Sequence, residues 1–282
     1  MSRLSRVSWL FSFLCFLIKP LVKQLAIWLA QQRTLGKPLV IAIPLSNPKT
    51  IAKWLVMSSV LCPLSSVFAA PPHNVQAYYD VYKGSLKVGQ IEEIYTRDKE
   101  RYTLSSTTTP VGLLAAFKPE KIFINSSGLV GKEGLKPMRF SHQREKDSSK
   151  DGHAEFDWAK KQLTLTHEAQ RTVLALPDGT QDRLSAMYQF MFLPLQSATT
   201  LDFPMTNGRK LDSYHYAVTP DQMLKVPAGE FRVSYLDSQA KAGETRTEIW
   251  LATQHNNLPC KMIITDASGD QLTQVLSKFI VK

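Results

Sequence analysis

Arg101-Tyr-Thr-Leu-Ser-Ser-Thr-Thr-Thr109, preceded across the polar break Asp98-Lys99-Glu100 by Leu86-Lys-Val-Gly-Gln-Ile-Glu-Glu-Ile-Tyr95, sets the fold class of this 282-residue chain. Polar and apolar residues alternate through it. A strand sends successive side chains to opposite faces, so period-two alternation predicts half-buried strands. The same reading extends outward to Tyr78–Tyr82, Lys121–Ser126, Pro137–Arg144, Ala154–Trp158, Leu163–His167 and Thr172–Leu176. Beyond the middle of the chain it reaches Ser213–Val218, Gln222–Val226, Phe231–Asp237, Thr245–Ala252, Cys260–Asp266 and Leu272–Val281. Turn residues separate these runs at Lys83-Gly84-Ser85, Ala159-Lys160-Lys161 and Ala267-Ser268-Gly269. Many short strands at close spacing predict a mainly β fold, a curved antiparallel sheet or an incomplete β-barrel, rather than alternating βαβ units.

One short and one longer apolar helix interrupt the strands. Pro110 to Phe117 begins with a proline suited to a first helical turn and stops at Lys118-Pro119. The longer segment has Asp182 as a cap, with Leu184, Met187, Tyr188, Met191 and Leu195 at helical spacing. Ala186, Phe190, Phe192 and Leu193 occupy most of its other face, so it must be covered on more than one side. A plug across the mouth of the curved sheet and a connector lying on it both satisfy that requirement. Leu113, Leu114, Phe117, Met187, Phe190 and Met191 are the candidate lining of an apolar cleft, because flexible methionine and aromatic side chains adapt to irregular apolar ligands. The same six residues could equally be core. A filled interior without a pocket of roughly 300 Å³ would end the cleft reading.

Charge is distributed unevenly. The chain carries a formal net charge of +10, yet its first seventy residues hold eight Lys or Arg and no acid. The remainder is nearly neutral, at +2. A basic patch spread over a folded surface is therefore missing, and with it the case for a nucleic-acid partner. Lys49 and Lys53, the apolar run from Trp54 and the small residues before Pro71-Pro72 follow the order of an export signal. The expected organisation is an N-terminal extension over 1–48, a signal peptide over 49–69 cleaved between Ala69 and Ala70, and one β-rich domain over 70–282. A signal placed so far along the chain points to translation starting between Val40 and Leu45. The rival is an inner-membrane anchor made of residues 8–30. Cleavage would remove Cys15 and Cys62 and leave Cys260 alone, so no internal disulfide is expected.

Catalytic and metal patterns are weak. Asp147-Ser-Ser149-Lys-Asp151-Gly152 imitates the start of a calcium loop, but Trp158 stands where that loop needs a bidentate acid, so a turn is expected. The six histidines lack zinc-site spacing. Ser238-Gln-Ala-Lys241 has the Ser-x-x-Lys spacing of acylating enzymes but lies in a polar turn. Glu92-Glu93 places two acids on opposite faces of a strand, where they cannot converge on one substrate. Cys260, beside Pro259, reads as a small buried apolar residue. No cofactor or metal is expected, and an enzyme is the least favoured reading unless strongly perturbed titratable groups converge in a cleft.

Several blocks in order resemble the DUF3108 family of exported bacterial proteins. They are Tyr79-Asp-Val-Tyr-Lys-Gly84 with Val88-Gly89, Gly134-Leu-Lys-Pro-Met-Arg-Phe140, Phe156-Asp-Trp158, Leu176-Pro-Asp-Gly-Thr180 with Asp182-Arg-Leu-Ser-Ala-Met-Tyr188, and Glu248-Ile-Trp-Leu251 with Leu258-Pro259. The resemblance covers about residues 76–282 and implies one periplasmic β-rich domain, with no activity to carry over. The expected role is a non-enzymatic domain that binds a lipid or other apolar small molecule in envelope maintenance. The alternative is a structural module offering a sheet edge or patch to another envelope protein.

Overall fold

The computed structural model describes residues 71–282. The expected extension, signal peptide, cleavage site and anchor lie outside the described residues.

The strands are β1 (Asn74–Lys83), β2 (Leu86–Asp98), β3 (Arg101–Pro110), β4 (Ile122–Gly131), β5 (Gly134–Arg144), β6 (Gly152–Asp157), β7 (Gln162–His167) and β8 (Gln170–Ala175). They continue as β9 (Gln181–Asp182), β10 (Thr200–Thr206), β11 (Leu211–Val226), β12 (Gly229–Asp237), β13 (Arg246–Ala252), β14 (Leu258–Thr265) and β15 (Gln271–Val281). Helix α1 spans Gly112–Phe117 and α2 spans Ser185–Gln189. All fifteen strands form one open sheet in the order β8-β7-β6-β5-β4-β3-β2-β1-β15-β14-β13-β12-β11-β10-β9. Two meanders are thus joined where the first strand pairs with the last, Val75 opposite Val281. Every ladder is antiparallel except the short β9–β10 pair.

The sheet curls until its far edge meets its own inner face. On β9, the Gln181 amide donates to the Leu135 carbonyl of β5 at 2.9 Å. The β10–β11 turn comes so close that Gly208 abuts the backbone of Gly152 on β6. An incomplete barrel results, as the alternation predicts. Inward positions carry the core in period two: Val75, Ala77 and Tyr79 on β1, and Tyr102 and Leu104 on β3, are all buried.

Three local expectations differ. The longer helix is short: α2 has five residues and is followed by 3-10 turns at Phe190–Phe192 and Leu195–Ser197. Pro194 is the cause, since it drives Leu193 into an extended conformation and an α-helix cannot pass. The segment crosses inside the curve, covered on two sides as its all-round apolarity requires. Tyr188 and Met191 join one packed cluster and Phe190 and Leu195 another. Thr219-Pro220-Asp221, which separates two expected strands, is instead a bulge within the sixteen-residue β11, with Asp221 at φ +62°. Thr200–Thr206 was not expected as a strand, yet it forms β10.

Candidate functional site

The site grows from the turn that enters α2. Asp182 sits at the sheet's folded-over edge, fully buried. Its Oδ1 accepts the N–H groups of Leu184 and Ser185 at 2.9 and 2.7 Å, and Ser185 Oγ accepts the Asp182 N–H at 2.9 Å. This reciprocal exchange satisfies donors that would otherwise be orphaned at a buried helix start. Oδ2 accepts Ser126 Oγ from β4 at 2.5 Å, and Ser126 lies 3.0 Å from the Tyr102 hydroxyl of β3. Burial raises the Asp182 carboxyl to about 6, opposed by these donors. Asp182 therefore ties α2 to β3 and β4.

Deeper in the curve lies a second acid. Glu93 of β2 points inward, opposite Ala77 and Ser106, whereas Glu92 faces out and accepts from Gln76 at 2.9 Å. The opposite-face reading of this acid pair holds. The Glu93 carboxylate accepts the Ser106 hydroxyl at 3.3 Å and the Tyr188 hydroxyl at 3.1 Å. Burial pushes it up to about 7, against the pull of those two donors and of the Arg183 charge. Tyr188 in turn stacks on Tyr95 at 5.5 Å, which holds its hydroxyl toward Glu93.

Arg183 is the unusual member. Its backbone N–H donates to the Thr206 carbonyl at 3.0 Å, while its guanidinium has no hydrogen bond or ion pair among the described residues. The residue is exposed, with Glu93, Asp182 and Tyr214 all near enough to act on its charge. It lines a cleft. Desolvation pulls its pKa down from the ordinary arginine value, and those three neighbours oppose the pull. A guanidinium stays charged at neutral pH even so. The cleft holds a cavity of about 90 Å³ bounded by Glu93, Ser106, Arg183, Met187, Lys261 and Gln274. Lys261, from β14, lies over the Trp250 ring at 4.7 Å and is in no ion pair. Two cations thus share the cleft with one carboxyl that titrates near neutrality.

The six residues expected to line one apolar cleft are not brought together. Leu113, Leu114 and Phe117 project from α1 and are 64%, 40% and 85% exposed. Phe190 is core, and Met187 alone borders the Arg183 cleft. Met191 is buried beside a different hollow of about 260 Å³, whose walls include Val75, Leu258, Phe279 and Val281. Glu93, Arg183 and Lys261 were missed. The available signal was Glu93 itself, a charge at an inward position of a strand whose next inward residue is Tyr95. Among the described residues, no three His, Cys, Asp or Glu side chains converge as metal ligands would. Ser238 to Lys241 form a loop after β12, Ser148–Lys150 a 3-10 turn, and the buried Cys260 thiol is pushed up to about 12.

The sequence profile of a protein family of unknown function, DUF3108, matches residues 78–277. The chain belongs to this family. The match takes in every residue of the Asp182, Glu93 and Arg183 assembly. A solved β-barrel-like protein of another family of unknown function, DUF1849, from Brucella abortus, superposes with a TM-score of 0.52 at 12% identity. That likeness covers 76% of this chain and 99% of the other, and it shows the fold alone. No curated protein matches the chain.

Proposed function

We propose that this is an exported, non-enzymatic binding domain whose cleft receives a small negatively charged group. The observation that carries the reading is the Arg183 guanidinium, which borders the cleft and has no hydrogen-bonded or ion-paired partner among the described residues. A guanidinium left unpaired at a cleft wall can grip a carboxylate or phosphate with paired N–H donors. Lys261 adds a second cation. Drug-sized ligands occupy roughly 300 Å³ or more, so a 90 Å³ space suits a headgroup or small anion rather than an acyl chain. The non-enzymatic part of the reading rests on the hydroxyls beside Glu93. Ser106 and Tyr188 both donate to the carboxylate, and no histidine bonds to either. The basic, acid-free N-terminal seventy residues support export to the envelope.

A second reading keeps an apolar ligand but moves it to the Met191 hollow, whose walls are largely aliphatic and aromatic. Native mass spectrometry of the parent, Arg183→Ala and Met191→Trp proteins separates the two. An anionic adduct lost in Arg183→Ala supports the cleft. An apolar adduct lost only in Met191→Trp supports the hollow, and no adduct in any of the three, with added phosphate and acetate, refutes both.

A further inference from the structure

The cleft opens at one particular end of the sheet, and the same end carries exposed apolar residues that the fold does not explain. Ile91 of β2 and Thr108 of β3 border the cavity, and they are two residue pairs inward from the Gly89–Pro110 pair that leads into α1. Helix α1 is anchored there: the Val111 N–H donates to Val88 at 3.0 Å, and Gly112 packs on the Lys87 carbonyl. At this rim stand Leu113, Leu114 and the almost fully exposed Phe117. Leu86 and Leu272, both about half exposed, join them, since each pairs directly with Lys83 at the end of β1. Isolated exposed leucines are ordinary, but five large apolar side chains around one rim are not.

The charge pattern says what covers them. Asp80, Asp270 and Glu120 are neutralised by Lys87, Lys83 and Arg144 at 2.7, 2.7 and 2.9 Å. Asp266 and Glu145 remain, and each accepts a backbone N–H from the local turn or strand start. Against them stand Lys118 and Lys121, exposed, flanking Phe117 and in no ion pair, with Arg183 and Lys261 inside the mouth. The rim is therefore apolar at its tip, and the four unpaired cations, Lys118, Lys121, Arg183 and Lys261, stand against three acids, Asp266, Glu145 and, inside the mouth, Glu93. This is the arrangement that lets side chains enter the interface of an anionic bilayer while lysines meet its headgroups.

We propose that the α1 rim docks on an anionic lipid surface, turning the mouth of the cleft toward the bilayer. Phe117 and Leu113 enter the acyl boundary, and Lys118 and Lys121 pair with headgroup phosphates. This does not depend on the cleft having a ligand. The test uses the full chain with an environment-sensitive fluorescent amino acid at position 117, or at Lys132 in the turn at the opposite end of β4. The vesicles are phosphatidylcholine with or without phosphatidylglycerol, some carrying brominated acyl chains. The expected result is a blue shift and bromine quenching at position 117 on phosphatidylglycerol vesicles only, with position 132 unchanged. Lys118→Glu with Lys121→Glu lowers the apparent affinity about tenfold or more, as the loss of two headgroup cations should. An unmoved signal at 117, equal quenching at 132, or equal response on phosphatidylcholine alone overturns the proposal. Attachment through residues 1–70 alone would leave position 117 unquenched and so counts against it.

Discussion

Glu93→Gln should make this protein more stable at pH 8 and not at pH 4.5. In the folded chain the carboxyl is raised from an ordinary 4.5 to about 7, chiefly by burial. An unfolded chain releases this proton near 4.5, while the native state holds it until about 7. Between those values the native state binds more protons, so stability falls as pH rises. The contribution is intact below about 4.5 and lost above about 7. A shift of that size corresponds to about 3 kcal/mol. Glutamine cannot ionise and escapes the loss. It also replaces one acceptor oxygen with an N–H donor, so the Tyr188 hydroxyl, now donating at 3.1 Å, must rotate to accept, at about 1 kcal/mol. The variant should therefore gain about 2 kcal/mol over the parent at pH 8 and lose about 1 kcal/mol at pH 4.5. Urea unfolding at pH 4.5, 6 and 8 measures both. A parent–variant difference that stays constant across the three pH values would refute the claim that Glu93 is buried and titrates near neutrality.

Asp182→Ala should destabilise by about 2–4 kcal/mol in urea unfolding, because it strands the Leu184 and Ser185 N–H groups inside the protein and leaves the Ser126 hydroxyl with Tyr102 alone. Gly208→Ala should cost about 2 kcal/mol or more in thermal unfolding, since Gly208 has φ +87° and a Cβ there would lie 2.8 Å from the Gly152 backbone. Gly84→Ala, at φ +60° with open space around it, should cost only about 1 kcal/mol. Cys260 should resist iodoacetamide at pH 8 in the native protein and react once urea is added, as peptide mapping would show, because its thiol is buried and pushed up to about 12.

The fold was legible wherever one face of a strand is wet. β1, β3 and β7 alternate buried positions with half-buried or exposed ones, so their period-two patterns could be read from the chain alone. β10 escaped because Thr200–Thr206 contains Pro204, which argues against a strand even though Leu201, Phe203 and Met205 fall at period two, and its buried end, Met205 and Thr206, is where β9 pairs with it. The length of α2 was misjudged for a related reason. Apolar spacing from Leu184 to Leu195 satisfies a helix, but it equally satisfies a short helix and two 3-10 turns packed on both sides, and Pro194 decides between them. Periodicity reports which side chains need cover, not which backbone supplies it.

The cleft was less legible because its parts are far apart in the chain and each is unremarkable alone. Glu93 was seen only as half of an acid pair that cannot converge, which is correct for Glu92 and Glu93 together. What matters is that one of the two faces in, where Tyr188 arrives from ninety-five residues away. Arg183 follows Asp182, and an Asp-Arg step at a helix start reads as a cap beside a solvated base. The structure separates their roles: Asp182 is bonded to the N–H groups of α2 and the Ser126 hydroxyl and reaches Arg183 through its charge only. Glu93 acts on Arg183 as well, and its carboxyl, about half protonated near pH 7, only partly compensates it. Lowering the pH toward 5 protonates Glu93 and, near 6, Asp182, leaves both cations charged and should tighten the cleft's hold on an anion. In Glu93→Gln that pH dependence should weaken, the remainder coming from Asp182 near pH 6. Titration with inorganic phosphate can follow this if acetate is run beside it, since phosphate changes its own charge near pH 7. A variant that keeps the parent's pH dependence with both anions would show that Glu93 does not govern the charge felt at Arg183.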